Sequence, residues 1–218
     1  MRAADTDSQQ PGTLWVRNLD WPVPADVAPR VPATFRQLCP EDIGALASVM
    51  GLADPAMIQQ RLAAGKRCYV AQVADALAAY GWVSWHEEEI GEIGLRLHLM
   101  PGEAYIWDCA TAPAYRRRRL YTALLVHIVE QLRCEHLCRV WIGADADNTA
   151  SQNGMALAGF QPVADLVVTR VIGVRQFWVR GRAGVPDYVV NDARRALLGD
   201  RDRAWLAALD AVRILPER

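Results

Sequence analysis

Apolar positions along this chain repeat with two different periods, and the switches between them outline an alternation of strands and helices. Residues 68–73 and 76–85 are short apolar runs separated by Ala74 and Asp75, which predicts two strands joined by a tight turn. Residues 105–111 predict a buried strand. Residues 118–133 carry Leu120, Leu124, Leu125, Ile128, Val129 and Leu132 at a helical spacing, which predicts a long amphipathic helix. A strand over 139–144 follows, then a small-residue helix over 149–158 ending at Gly159. Residues 160–172 and 174–180 read as a closing antiparallel pair. Upstream, 33–38 is a short strand. Pro40, Glu41 and Asp42 open a helix running to about Met50, with acidic residues where the helix dipole favours them. A second helix runs from Pro55 to about Ala64 and stops at Gly65. Residues 86–93 are acidic and read as a loop, and 95–99 extend the sheet before the break at Met100, Pro101 and Gly102.

The ends read differently. Residues 1–12 are polar and bounded by Pro11 and Gly12, so they are expected to be disordered. Residues 13–32 carry Trp15, Trp21 and four prolines, which predicts an extended segment packed on the domain. Residues 181–184 look like a linker. The tail has one helix expected around 190–198 and another around 202–212. Leu197, Leu198, Leu206, Leu209 and Val212 give it an apolar side to bury, on the sheet or across a homodimer. The expected division is an N-terminal extension over 1–32, a main domain over 33–180 and a helical tail over 181–218.

Composition narrows the function classes. At 218 residues and 52% hydrophobic content the chain buries one real core with appendages. A formal net charge of −1 provides no field for nucleic acid or an anionic membrane, so neither is an expected partner. The polar N-terminus lacks the apolar core of a signal peptide, and no apolar run is long enough to span a bilayer. Five cysteines, an odd number at scattered spacings, do not form a secreted disulfide framework. A cytoplasmic protein is expected. Cys134 and Cys138 flank His136 without further ligands nearby, and no metal site is expected there.

Chemistry concentrates between residues 104 and 160. A strand delivers its chain through Thr111, Pro113 and Tyr115 into Arg116, Arg117, Arg118 and Arg119, and straight into Leu120, Tyr121 and a helix. Backbone N–H groups at a helix N-terminus make an anion site, and four guanidinium groups adjoin this one. An arginine run at a surface turn is otherwise merely solvated. Asn148 with Ser151 three residues on is also an ordinary helix-capping arrangement.

In this order, with these residues, the chain resembles the GNAT acetyltransferase superfamily, whose members move an acyl group from acyl-CoA to an amine. The resemblance spans residues 33–180. Cys109, Ala110 and Thr111 with Pro113, Tyr115 and Arg116 look like the end of the family's central strand and its loop. Residues 116–123 followed by Leu124 and Leu125 look like its phosphate-binding turn and helix. Asn148, Ser151, Gly159 and Phe160 look like its second signature.

The resemblance implies a mixed α/β (α+β) fold. Its central sheet is mostly antiparallel, with one parallel, splayed strand pair and helices on both faces. It implies acetyl-CoA or another acyl-CoA as co-substrate, with no metal. The pantetheine arm would pair with backbone at Cys109, Ala110 and Thr111, and touch Asn148 and Ser151. The pyrophosphate would sit on Arg117, Arg118, Arg119, Leu120 and Tyr121, with Arg116 beside them. The chain departs from the family at four places. Arg119 stands where glycine is preferred, Tyr121 where glycine or alanine is, Met155 where a proton-donating tyrosine is common, and Gly143 where a glutamate is.

Acid–base candidates are therefore sought elsewhere. Tyr105, Trp107 and Cys109 share one strand face, and Asp108 joins them only if a bulge intervenes. Tyr105, Asp108 and the acidic run Glu87, Glu88 and Glu89 are the groups available to take the acceptor's proton. Trp82, Trp85, Trp107 and Trp141 are core residues or walls of an acceptor pocket, His127 is a packed helix residue, and His86 and His98 flank the acidic run. The expected reaction is N-acyl transfer to an amine-bearing acceptor by direct attack in a ternary complex. The rival readings are a CoA-binding regulatory module without catalysis and a nucleic-acid contact through residues 116–119.

Overall fold

A computed structural model describes residues 7–90, 95–171, 174–199 and 212–215. Alternation of side chains in the central strands explains the layering. In β3 (Arg67–Val73), Tyr69 and Ala71 face one side, while Cys68 and Val70 face the other. Both sides are buried, so helices must cover both. The long helix α3 (Leu120–Cys134) lays Leu120, Leu124, Leu125, Ile128 and Leu132 on the first face, with α4 (Thr149–Leu157) beside it. The helices α1 (Ile43–Met50) and α2 (Ala56–Ala63) cover the second through Leu46, Ala47 and Ile58. Farther along that face, α5 (Asp187–Leu198) packs Val190, Ala193 and Leu197 against Leu14, Trp141 and Phe177.

Among the described residues the main sheet has nine strands in the order β11-β10-β9-β1-β8-β7-β4-β3-β2. They comprise β1 (Asp7–Asn18), β2 (Thr34–Gln37), β3, β4 (Ala76–Ser84), β7 (Glu103–Thr111), β8 (Arg139–Asp145), β9 (Gln161–Val171), β10 (Val174–Gly181) and β11 (Val212–Leu215). A separate two-stranded ribbon joins β5 (Glu87–Ile90) to β6 (Leu95–His98). The pairing of β7 with β8 is parallel and the other pairings are antiparallel, which is the mixed, mostly antiparallel sheet expected.

Four expectations need correction. Residues 7–12 do not lie outside the fold. Asp7–Asn18 forms β1, inserted between β8 and β9, because Leu14 and Val16 face one core and Trp15 the other. Beyond it, Val23, Val27 and Val31 do pack on the core beside α3. The acidic run is not a loop: Glu87–Ile90 pairs with Leu95–His98, with Glu88 and Leu97 opposite each other. The same pairing means 95–98 joins this ribbon and not the main sheet. In the tail, Val212 belongs to a strand on β10, while the helix expected over 202–211, with Leu206 and Leu209, lies outside the described residues.

The parallel pair sets up the site. β7 and β8 pair from Glu103 and Arg139 through Ile106 and Ile142, and no further. Beyond that point β7 keeps pairing with β4, up to Thr111 opposite Ala79. β8 keeps pairing with β1, up to Asp145 opposite Gly12. The two strands follow different neighbours, so a gap opens between them.

Candidate active site

The gap widens into a cavity of about 480 Å³. β7 contributes Tyr105, Trp107, Asp108 and Cys109, and β8 contributes residues 143–145. Gly12 and Thr13 come from β1, Tyr121 from α3, and Asn148 and Ser151 from the start of α4. Arg61 enters from α2, and Glu89 and Ile90 from β5.

The expected acid–base residues are both here. Asp108 has φ +41 and sits where the β4–β7 register shifts, so a bulge turns it into the cavity. Its carboxylate is engaged. Arg61 Nη1 lies 2.5 Å from Oδ2, and Tyr80 donates its hydroxyl to Oδ1 at 3.2 Å. Burial, reinforced by the Asp108 charge, pushes the Tyr80 phenol well up, so Tyr80 stays the donor. Tyr105 is 6% exposed, and its hydroxyl fills the space a side chain at Gly143 would need, 3.3 Å from an added Cβ. The Tyr105 phenol oxygen therefore sits beside Gly143, across the splayed strand pair.

Burial, then the Asp108 charge, pushes the Cys109 thiol far up, and Sγ donates to the Trp107 carbonyl at 3.6 Å. Ala110 and Thr111 pair with Tyr80 and Ala79 of β4, and they lie outside the cavity lining. The edge of residues 107–111 that faces β8 carries no strand among the described residues.

None of the four arginines of the turn lines the cavity. Arg117 and Arg119 both adopt left-handed backbone, at φ +62 and +59, so the conformation that favours glycine is kept without glycine. Arg119 is the N-cap of α3, and its guanidinium meets Asp26 Oδ1 at 3.1 Å. Arg118 lies over the Tyr115 ring at 5.4 Å, and its carbonyl accepts from Arg30 N. Arg116 Nε donates to the Thr111 carbonyl at 3.3 Å. Arg117 is exposed and has no partner among the described residues. Leu120 is the first helical residue and packs into the core at 1% exposure.

Tyr121 turns away from the phosphate turn and toward α4. Its ring lies over Gly154, where an added Cβ would come within 2.5 Å of a ring carbon, and its hydroxyl is 3.0 Å from Ser151 Oγ. Burial holds this phenol far above the ordinary tyrosine range. Asn148 Oδ1 accepts from Ser151 N at 3.0 Å, so Asn148 caps α4 while lining the cavity. Met155 is fully buried in the core.

Trp82 and Trp141 are fully buried, whereas Trp107 walls the cavity. His127 packs between Phe35 and Tyr69, and His98 pairs with Glu87, apart from the cavity. Sequence reasoning missed Arg61, Gly12 and Thr13. Nothing local marks them, since their position depends on where α2 and β1 dock.

Solved structures of other proteins share the fold. An acetyltransferase from the GNAT family of Colwellia psychrerythraea superposes with a TM-score of 0.55 at 14% identity, over 75% of this chain and 57% of its own. A protein described as a GNAT-family acetyltransferase from Novosphingobium aromaticivorans gives 0.50 at 18%, over 75% of this chain and 66% of its own. No curated protein matches the sequence. The model of the acetyltransferase (GNAT) family matches residues 40–160, from the first helical turn to the end of the second signature. That match spans more than half of the 218 residues and encloses the splayed pair, the arginine turn and the Asn148 cap, and the chain belongs to the GNAT acetyltransferase family.

Proposed function

We propose that this chain is an acyl-CoA-dependent N-acyltransferase that passes acetyl from acetyl-CoA to an amine by direct attack in a ternary complex. The observation that carries the reading is the gap between β7 and β8. A strand edge opens there, with residues 107–109 lining the cavity and a 15-residue helix starting farther along the chain. An extended pantetheine arm pairs with such an edge as an added strand does. A pyrophosphate suits the N–H groups at the start of α3, where Arg117 offers an uncommitted charge. Acetyl-CoA supplies the activated acyl group.

The chain's own residues then serve two proton transfers. The attacking amine must lose a proton, and the departing sulfur must gain one. The Tyr121 hydroxyl suits protonation of the sulfur, because burial keeps it protonated, it lines the cavity, and Ser151 orients it. Tyr121 thereby occupies the role that Met155, packed in the core, cannot fill. Asp108, or water held beside it and Tyr105, suits deprotonation of the amine. Alignment of amine and thioester supplies most of the remaining acceleration.

A second reading is a CoA-binding regulatory module, favoured by the commitment of Asp108 to Arg61. Calorimetry with acetyl-CoA, combined with thiol release across a panel of amines, separates the two. Binding with amine-dependent thiol release supports the enzyme, and binding without release by any amine supports the module. Absence of binding removes both.

A further inference from the structure

The acceptor end of the cavity contains a complete ion pair, and that pair restricts what can bind. Arg61 reaches in from α2 and Asp108 from the β7 bulge, with side chains 16% and 29% exposed and Nη1 to Oδ2 at 2.5 Å. The guanidinium lies on aromatic faces, its central carbon 4.4 Å from the Trp107 centroid and 5.0 Å from that of Trp82.

That platform is itself fixed. Trp107 Nε1 donates to Ser84 Oγ at 2.8 Å, and Ser84 Oγ donates to Glu88 Oε2. Glu88, nearly buried, is held by Lys66 at 2.8 Å. Arg61 therefore has little freedom to swing out of the cavity. On the other side, Tyr80 holds Asp108 Oδ1.

We infer that the acceptor is a small zwitterion, an amino acid carrying a primary ammonium and a free carboxylate a few ångströms apart. This rests on the acyltransferase reading of the cavity. A simple amine, arriving as its ammonium, would take Asp108 and leave the guanidinium, stacked and mostly buried, without a counter-charge. An anion would do the reverse to Asp108. Removing one partner of such a pair costs far more than the pair contributes, because the other charge stays desolvated.

A zwitterion avoids this penalty. Its ammonium meets Asp108 and its carboxylate meets Arg61, so one pair becomes two and no charge is orphaned. The guanidinium has room for this role. Among the described residues, Nη1 is its one nitrogen in a hydrogen bond, and neither Nη2 nor Nε is a buried atom lacking a partner. Nη2–H and Nε–H of a guanidinium together form the fork that a carboxylate bonds bidentately. The ammonium end, held at the bulge beside the open strand edge, is the end presented to the thioester.

The test uses the full chain with acetyl-CoA and matched acceptors: leucine, phenylalanine and lysine, each beside its α-amide and its decarboxylated amine. The free amino acid is expected to exceed both analogues by at least about tenfold in kcat/KM. In Arg61→Gln the advantage should shrink to about twofold, with unchanged acetyl-CoA affinity by calorimetry and an unchanged circular dichroism spectrum. Arg61→Lys keeps the charge without the fork, and it should recover part of the preference.

Equal rates for amino acid and analogues, with acetyl-CoA bound, overturn the zwitterion while leaving the acyltransferase standing. So does a preference that survives Arg61→Gln in folded protein. If the wild-type chain binds no acetyl-CoA, both proposals fall together.

Discussion

A Cβ added to Gly159 would fall 1.9 Å from Arg17 Nη1, inside the space that the guanidinium fills. Arg17 comes from β1 and is 1% exposed. It donates to the Ala158 carbonyl at 3.1 Å and to Pro22 O at 2.9 Å. It therefore satisfies the C-terminal end of α4, where the helix dipole favours a cation. Burial, then the charge of Arg133, lowers its pKa, so the carbonyls are what keep this cation in place. The glycine of the second signature is also what lets the N-terminal strand dock.

Gly159→Ala is expected to destabilise the fold by about 2 kcal/mol or more. It forces alanine into left-handed backbone at φ +82 and displaces a buried cation. Arg17→Met should cost about 1–3 kcal/mol by stripping the Ala158 and Pro22 carbonyls of their donor. The double variant should cost less than the sum, because both changes break one arrangement. Urea unfolding of the four proteins checks all three statements.

At the arginine turn, Arg119→Gly should leave stability nearly unchanged, since glycine takes up φ +59 without strain while the Asp26 pair is lost at an exposed site. Arg118→Glu with Arg119→Glu should weaken acetyl-CoA at least about tenfold, or about 1.4 kcal/mol, with the fold intact. Arg117→Ala should weaken it too, and the loss should shrink as salt rises. Calorimetry at two ionic strengths reads these effects, and unchanged affinity in the double variant would place the phosphate site elsewhere.

Tyr121→Phe keeps the ring on Gly154 and removes the hydroxyl that meets Ser151. As the proton donor to the leaving sulfur, its loss should lower kcat by at least about a hundredfold with acetyl-CoA affinity within about twofold. Steady-state kinetics and calorimetry together decide it. An unchanged kcat assigns the proton to another donor. Gly154→Ala, in contrast, should disturb packing between α3 and α4 and lower the thermal midpoint.

Stability should also depend on His127. Burial between the Phe35 and Tyr69 rings lowers its pKa, partly offset by Glu130. The unfolded chain takes up a proton at about pH 6.5, while the folded imidazole resists until lower pH. Over that window the unfolded state binds more protons, so stability falls as pH drops below about 6.5 and is retained above it. His127→Leu should flatten the change in unfolding free energy between about pH 7.5 and 5.5, measured by urea titration.

The elements legible in the sequence are those whose own periodicity exceeds local noise. The leucine stripe of α3, the hairpin of β3 and β4, and the Asn148 cap all rest on interactions between near neighbours, which a single sequence displays. The acidic run misled because charge masks alternation: Glu88 faces inward as a paired carboxylate, where an apolar residue is the usual inward signal.

By itself, then, the sequence determined the family, the order of elements from residue 33 to residue 180 apart from the ribbon of Glu87–Ile90 and Leu95–His98, and the position of an arginine turn before the long helix. Tertiary structure alone decided that residues 7–18 enter the middle of the sheet, that Asp108 turns inward at a bulge, that Tyr121 leaves the turn for Ser151, and that Arg61 stands opposite Asp108. Each of these joins residues far apart in the chain, and none alters a local pattern at either end. Such pairs form only where separate layers dock, so their information lies in the packing of the whole core and not in any window of sequence.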